Sequence, residues 1–421
     1  MHTQTLQACR PRESGDPCGV DTAHRRPRSR GGGMGPRFRG GDKPRVASWI
    51  ATIALALLPA LATAQEKDCG KPAERNDGWR VASPAEQGLN PALICAIGAR
   101  FEGWKDANAH SVVVVRKGVL VYERYFTGED ERGGMPIGAV KFDAATKHDL
   151  RSISKSATAL VVGIAIERGW IKDVDAPVFP FFPEYADLKT AEKERITLRH
   201  LLTMSPGFAW NEMIPYTNPA NSDRQMYLAP NPLRHLLALP LAAPPGRDYT
   251  YNSGATALMG AIVAKAAGKP FDAVVKETLF EPLGIEDAEW VRYPNGTPVA
   301  GWGLRLRPRD LAKIGQLVLA KGAWNGKQIV PASWIAEATA PHMNGEGIYF
   351  YGYQYWLGRS LVGGRPVEWA AGFGWGGQRL FVVPGEDLVV VVHAGLYHTM
   401  NQSIVGATVL NRHVLPAIVK P

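Results

Sequence analysis

Apolar positions along the chain switch between two periods, and the switches mark out the elements. In "NPALICAIGARFEGW" the residues Leu93, Ile94, Ile97 and Phe101 recur at helical spacing and predict a helix opening near residue 90. "SVVVVRKGVLVYERYF" (111–126) follows as two β-branched runs around Lys117 and Gly118, which reads as a hairpin. From Ser152 to about residue 300 the pattern is mainly helical with long loops, as in "ITLRHLLTM", "NPLRHLLALP" and "GATALMGAIVAKAAG". A helix pair is expected in "RPRDLAKIGQLVLAKG" and "PASWIAEATA". Strands return in "IYFYGYQYWLG", "GGQRLFVVP" and "LVVVVHAG", the last two flanking a turn at Pro384–Asp387, and "NQSIVGATVLNRHVLPAIV" reads as a closing helix packed on the sheet. Strands at both ends around a helical middle predict an α+β fold, with a sheet domain from residues 65–150 plus 301–421 and an inserted, mainly helical domain over 151–300.

The first 64 residues stand apart. They hold ten of the Lys and Arg residues against four Asp and Glu, a net of +6 of the whole chain's +9. The remainder is too mildly basic to argue for a nucleic-acid partner. "WIATIALALLPALATAQ" (49–65), preceded by basic residues and closing on Ala62, Thr63 and Ala64, reads as a signal peptide over 34–64, cleaved near Ala64. That implies a periplasmic or secreted protein with no membrane span once the signal is removed; a retained N-terminal anchor is the competing reading. Residues 1–33 lack any apolar period and read as an upstream extension, with Met34 the expected start. In an oxidising compartment the two remaining cysteines, Cys69 and Cys95, suggest one disulfide, against two buried thiols.

Candidate chemistry centres on "HDLRSISKSATALVVGIAIERGW" (148–170), where Ser152 is the only serine with a lysine three positions later. "ATALVVGIAI" is apolar on every side, as in a helix buried all round, so Ser152 and Lys155 share a face at its start. Desolvation and the positive helix end both disfavour the ammonium form, and a neutral amine there is able to take the Ser152 proton. An N-cap serine beside a lysine that reaches solvent explains the stretch equally well. Two glycine-rich stretches shift the balance: "PPGRDYTYNSGATALMG" sets Tyr251, Asn252 and Ser253 before a helix, and "AAGFGWGGQRLFVVP" sets four glycines before a strand, where backbone can approach a ligand.

On these residues the chain resembles the serine β-lactamase and penicillin-binding-protein superfamily, in its class C and esterase branch, closest in look to serine hydrolases of the 6-aminohexanoate-dimer hydrolase type. The S-x-x-K motif is Ser152–Lys155, the second motif is Tyr251-Asn252-Ser253, and Trp375-Gly376-Gly377 followed by Gln378 stands where the superfamily has Lys-Thr-Gly. The resemblance implies an antiparallel sheet flanked by helices and acyl transfer to Ser152, with Lys155 as base and Tyr251 relaying a proton, its phenol pKa lowered by Lys155. It further implies an oxyanion hole from the backbone N–H groups of Ser152 and Gln378, with Ser253 bonding Lys155 or substrate. Tyr249 is a weaker candidate for the relay. Trp375 offers no charge to a drug carboxylate, and strand alternation turns Arg379 away, so an ester or linear amide substrate is expected over a β-lactam. The alternatives are a D-alanyl peptidase or weak β-lactamase, and, in another class, a non-catalytic binding or sensor protein of the same fold. His200 and His235 read as structural, and the aromatic series from Tyr349 to Trp356 as strand core. No histidine pair has metal-ligand spacing, so no metal and no cofactor are expected.

Overall fold

The computed structural model describes residues 68–419, and the signal-peptide and upstream-extension expectations lie outside them. These residues carry an eight-stranded sheet whose paired strands are all antiparallel. α1 (Pro91–Glu102) opens on Asn90, whose side chain caps Ala92 N. β1 (Ala109–Arg116) and β2 (Val119–Tyr125) form the expected hairpin, and β1 pairs on its other side with strand Leu388–Ala394 near the chain's far end. One strand in from its β2 edge, the sheet is thus joined from segments far apart in the chain.

Every residue of β1 and of Leu388–Ala394 is buried, because both faces of the sheet are covered. Alternation divides the valines between two cores. Val113, Val115, Val389 and Val391 face the larger one, while Val112, Val114, Val390 and Val392 face a second core with α1 and the C-terminal helix. Inside the larger core runs α2 (Ser154–Glu167), whose residues Ser154–Ala165 are all buried, as its all-round apolar sequence requires. No helix among the described residues is long and apolar enough to cross a membrane.

Three features depart from the sequence reading. "IYFYGYQYWLG" is not one strand: Phe350–Tyr351 and Trp356–Val362 are separated by a turn in which Gln354 has a left-handed backbone (φ 63°), and Phe350 is exposed while Tyr351, Tyr353 and Tyr355 are buried. Strand Arg365–Gly374, with its glycines and proline, carries too weak an alternation to be recognised beforehand. The hairpin of β3 (Thr127–Arg132) and β4 (Met135–Lys141) is likewise not predicted, since β3 is nearly all polar and β4 leaves its apolar Met135 and Ile137 exposed. Cys69 and Cys95 form the expected disulfide, tying the chain ahead of the fold to α1.

The bridge closes a loop with a sequence separation of 26, for which chain-entropy arguments give about 3 kcal/mol of stabilisation. Replacing both cysteines with serine is expected to lower the denaturation midpoint accordingly, measured by urea titration, while leaving folded-state circular dichroism unchanged.

Candidate active site

Arg151, directly before the candidate nucleophile, has a left-handed backbone (φ 52°), a conformation that costs a non-glycine residue free energy and has to be held by its surroundings. Its guanidinium is held by Glu131 (3.2 Å) and Asp149 (3.6 Å) and lies over the Tyr397 ring. The kink places Ser152 in a short turn, half-buried at the head of α2, with Lys155 one turn on.

Lys155 is 1% exposed, and its Nζ donates to Ser152 Oγ (3.1 Å), Ser253 Oγ (2.9 Å) and the Gly301 carbonyl (3.0 Å). The reading in which this lysine reaches solvent is excluded. Burial pushes the amine below the ordinary lysine range, opposed by the carboxylates of Glu212 and Asp223.

Ser253 begins helix Ser253–Ala267, capped by Asn252 Oδ1 on Ala255 N. Its hydroxyl donates to Glu212 Oε1 (2.8 Å) and its backbone N–H to Glu212 Oε2 (2.7 Å), so a buried carboxylate sits at the positive end of this helix. Trp210 Nε1 also donates to Glu212 (2.7 Å). The result is an unbroken chain Glu212, Ser253, Lys155, Ser152. Glu212 was missed in the sequence although it lies only four residues beyond "ITLRHLLTMSPGF"; a lone glutamate in a loop carries no local signature. Asp223, also buried nearby, is pushed up to about 7 by burial and by Glu212.

Tyr251 stacks on Trp356 (5.7 Å, 24° between planes), and Lys155 Nζ lies 4.8 Å from its ring centroid. The expected lowering of its phenol by Lys155 is corrected: burial dominates and Glu212 adds to it, so the phenol is raised well above its usual value, partly offset by the Ser152 hydroxyl. The lysine meets the ring face, where it makes a cation–π contact. Tyr251 is therefore a neutral phenol, fit to pass a proton on rather than to act as a standing anion. Tyr249 packs edge-on against Tyr351 (5.2 Å) and Trp356 (6.2 Å), and its buried hydroxyl has no hydrogen-bond partner, consistent with a loop aromatic.

Trp375, Gly376 and Gly377 join strands Arg365–Gly374 and Gln378–Val383. Both glycines of the turn have left-handed backbones (φ 85° and 98°). The strand presses on the nucleophile turn so closely that a Cβ on Gly374 would fall 2.4 Å from the Leu150 carbonyl oxygen. Gln378 is fully buried, and its side chain is turned inward to Trp375 O (3.1 Å) and Ala394 O (2.7 Å). Trp375 is half-buried with Tyr216 edge-on at 5.5 Å, a second aromatic that the sequence did not single out. Arg379 faces the other side of the strand, bonded to Gly374 O (3.1 Å), Gln378 O (2.7 Å) and Ser403 Oγ (3.1 Å), as alternation requires. His200 serves as a helix cap through Nδ1 to Thr197 N (3.1 Å), a structural role. His235 makes no hydrogen bond through its buried Nε2 and contributes nothing to the site.

The Beta-lactamase family model matches residues 101–409. The chain is 31% identical over 188 residues to Esterase EstB of Burkholderia gladioli, covering 42% of this chain and 46% of that protein. It is 26% identical over 266 residues to the 6-aminohexanoate-dimer hydrolase of Paenarthrobacter ureafaciens, covering 58% and 65%. These alignments thus span about half to two thirds of the relatives' lengths. Among solved structures, a Bacillus anthracis protein provisionally named a 6-aminohexanoate-dimer hydrolase superposes with a TM-score of 0.61 at 26% identity, covering 73% of this chain and 79% of that one.

Glu212 acts through Ser253 and Lys155, so its removal has a signature of its own. Glu212→Gln keeps the size but deletes a charge that holds the proton on Lys155; the acidic limb of the kcat/KM profile for an ester substrate is expected to move to lower pH. The rate at the optimum is expected to fall roughly ten- to hundred-fold, as befits a charge-assisted hydrogen bond worth about 1.5–3 kcal/mol. A rate loss with an unmoved pH profile would assign Glu212 a packing role only.

Proposed function

Since the chain belongs to the β-lactamase family, we propose that it is an exported serine hydrolase that cleaves an ester or linear amide bond through an acyl-enzyme on Ser152. The observation that carries this reading is the 3.1 Å contact between Ser152 Oγ and the Nζ of a lysine that is 1% exposed. A serine hydroxyl is a weak nucleophile until a base removes its proton, and a desolvated amine at hydrogen-bond distance supplies that base.

In the first half-reaction Lys155 accepts the Ser152 proton as Oγ forms its bond to the substrate carbonyl carbon. The carbonyl oxygen becomes an oxyanion, stabilised by the backbone N–H groups of Ser152 and Gln378. Tyr251 then gives its proton to the leaving oxygen or nitrogen as that bond breaks, leaving the acyl group on Ser152, and regains a proton from the Lys155 ammonium, which returns to the neutral amine. In the second half, water adds to the acyl carbon, gives up a proton through the same groups, and Ser152 leaves with its hydroxyl restored. Glu212 and Ser253 hold Lys155 in place throughout.

The surroundings favour an uncharged, partly apolar substrate. Trp375 and Tyr216 make one aromatic pair beside the site and Tyr251 with Trp356 another, whereas Arg379 is held on the far side of its strand. D-Alanyl peptidase or weak β-lactamase activity is the secondary reading, since the nucleophile and base are common to both. Export is supported by the hydrophobic segment at 49–65 and by the Cys69–Cys95 disulfide, a bond at home in an oxidising compartment.

Wild-type protein is expected to release p-nitrophenol from short-chain p-nitrophenyl esters with a burst, and to take up a fluorophosphonate label at Ser152. Ser152→Ala should abolish both, and Tyr251→Phe should lower turnover by about 100-fold or more, the scale of a lost general acid–base group. A folded wild type with neither turnover nor labelling would point to a non-catalytic binding protein. Rapid nitrocefin hydrolysis would instead overturn the substrate preference.

A further inference from the structure

Beside the oxyanion turn lies a buried cluster that the hydrolytic steps do not use. His110 on β1, Asp130 on β3 and His148 on β5 (His148–Asp149) are 0%, 5% and 0% exposed. Their facing atoms form a triangle: His110 Nδ1 to His148 Nε2 is 2.8 Å, His148 Nε2 to Asp130 Oδ1 is 3.5 Å, and His110 Nδ1 to Asp130 Oδ1 is 3.8 Å.

The outer nitrogens fix the protonation of the inner ones. His110 Nε2 sits 3.1 Å from the Glu129 carbonyl and 3.3 Å from Asn108 Oδ1. The Asn108 amide cannot be turned round, because its nitrogen donates to Glu129 O (2.8 Å) and Gly395 O (2.9 Å) while its oxygen accepts from Glu129 N (3.0 Å). His110 Nε2 therefore faces two acceptors and must carry the hydrogen. His148 Nδ1, 2.9 Å from the Asp149 carbonyl, must carry one too. In the neutral rings both inner nitrogens then present lone pairs to each other, with a carboxylate oxygen as the third corner.

Three converging lone pairs repel unless something positive lies among them. A proton between the two nitrogens relieves only the 2.8 Å edge and leaves Asp130 Oδ1 at 3.5 and 3.8 Å. An ion bonded to all three relieves every edge. Ligands about 2.0–2.1 Å from a tetrahedral metal lie roughly 3.3 Å apart, and the three separations bracket that spacing. Two imidazoles and one carboxylate suit a first-row transition ion of the zinc class over calcium or magnesium. Imidazoles whose far N–H groups are held by backbone carbonyls are the arrangement that orients such ligands.

We propose that His110, Asp130 and His148 bind a divalent transition-metal ion that braces the oxyanion turn. The Tyr397 hydroxyl donates to the same Asp130 oxygen (2.9 Å), and its ring lies so close to Gly376 that a Cβ there would come within 2.2 Å. His393, stacked on His148 at 4.5 Å, reaches Gln378 Oε1 at 3.2 Å. The ion thus lies three contacts from the Gly376–Gln378 turn, through Asp130 and Tyr397 on one side and through His148 and His393 on the other. The sequence expectation of no metal rested on local spacing, which does not register ligands drawn from three separate strands.

Full-length protein stripped with chelator, then incubated with Zn²⁺ and desalted, is expected to retain about one ion per chain by elemental mass spectrometry. Zinc should raise the thermal midpoint, and Co²⁺ in its place should give visible d–d absorption. Both Asp130→Asn and His148→Gln should lose the ion, while Ser152→Ala keeps it, separating this site from the hydrolytic reading. A folded wild type that retains no ion and shows no thermal shift, or retention unchanged in both ligand variants, would overturn the proposal.

Discussion

The structure is organised around one costly placement, an amine buried at the head of an apolar helix. Taking an ammonium out of water is unfavourable by several kcal/mol unless its hydrogens are matched, so Lys155 has to be surrounded by oxygen. Ser152, Ser253 and Gly301 provide three such oxygens, drawn from two helix starts and a loop, and each element is thereby tied to the others. In the proposed mechanism that unfavourable charge is what makes the lysine useful as a base, while the Glu212 and Asp223 carboxylates oppose the fall in its proton affinity. Stability and reactivity are here opposite sides of one electrostatic balance.

That balance needs a scaffold able to bring distant chain segments together. Neighbouring strands β1 and Leu388–Ala394 come from segments far apart in the chain and are covered on both faces, so the sheet there is a rigid base rather than a surface. Glycines at Gly372 and Gly374 let strand Arg365–Gly374 touch the turn carrying Ser152 and the first turn of α2. The left-handed backbone of Arg151 is held by Glu131 and Asp149, which belong to the same β3 and β5 that carry Asp130 and His148. The turn carrying Ser152, the Gly376–Gly377 turn and the histidine cluster are in this way parts of one packed unit.

Much of this was legible in the sequence because it rests on local period or local motif. α1, the β1–β2 hairpin, the all-round apolar α2 and the last hairpin follow from residue spacing alone, and Ser152, Lys155, Tyr251 and Ser253 from motif and context. What stayed hidden is what only the tertiary structure creates. Glu212 acquires its role by meeting the start of a helix 41 residues further on. Tyr251 was expected to feel Lys155 as a charge beside its oxygen, yet the amine lies over its ring and burial decides its proton affinity. Strand Arg365–Gly374 escaped notice because the glycines that let it approach the site also erase its alternation.

The central claim, that burial depresses Lys155 enough to make it the base for Ser152, is tested most directly by following the titration of that one amine. In reductively ¹³C-methylated protein, with Lys155→Arg used to assign its resonance, the chemical shift of Lys155 against pH reports its proton affinity. The account predicts a midpoint clearly below the value of about 10.4 of a free lysine, and a reactivity of Ser152 toward a fluorophosphonate that rises with the same midpoint in unmodified protein. A Lys155 that titrates with the exposed lysines, beside a Ser152 whose reactivity ignores that ionisation, would contradict it.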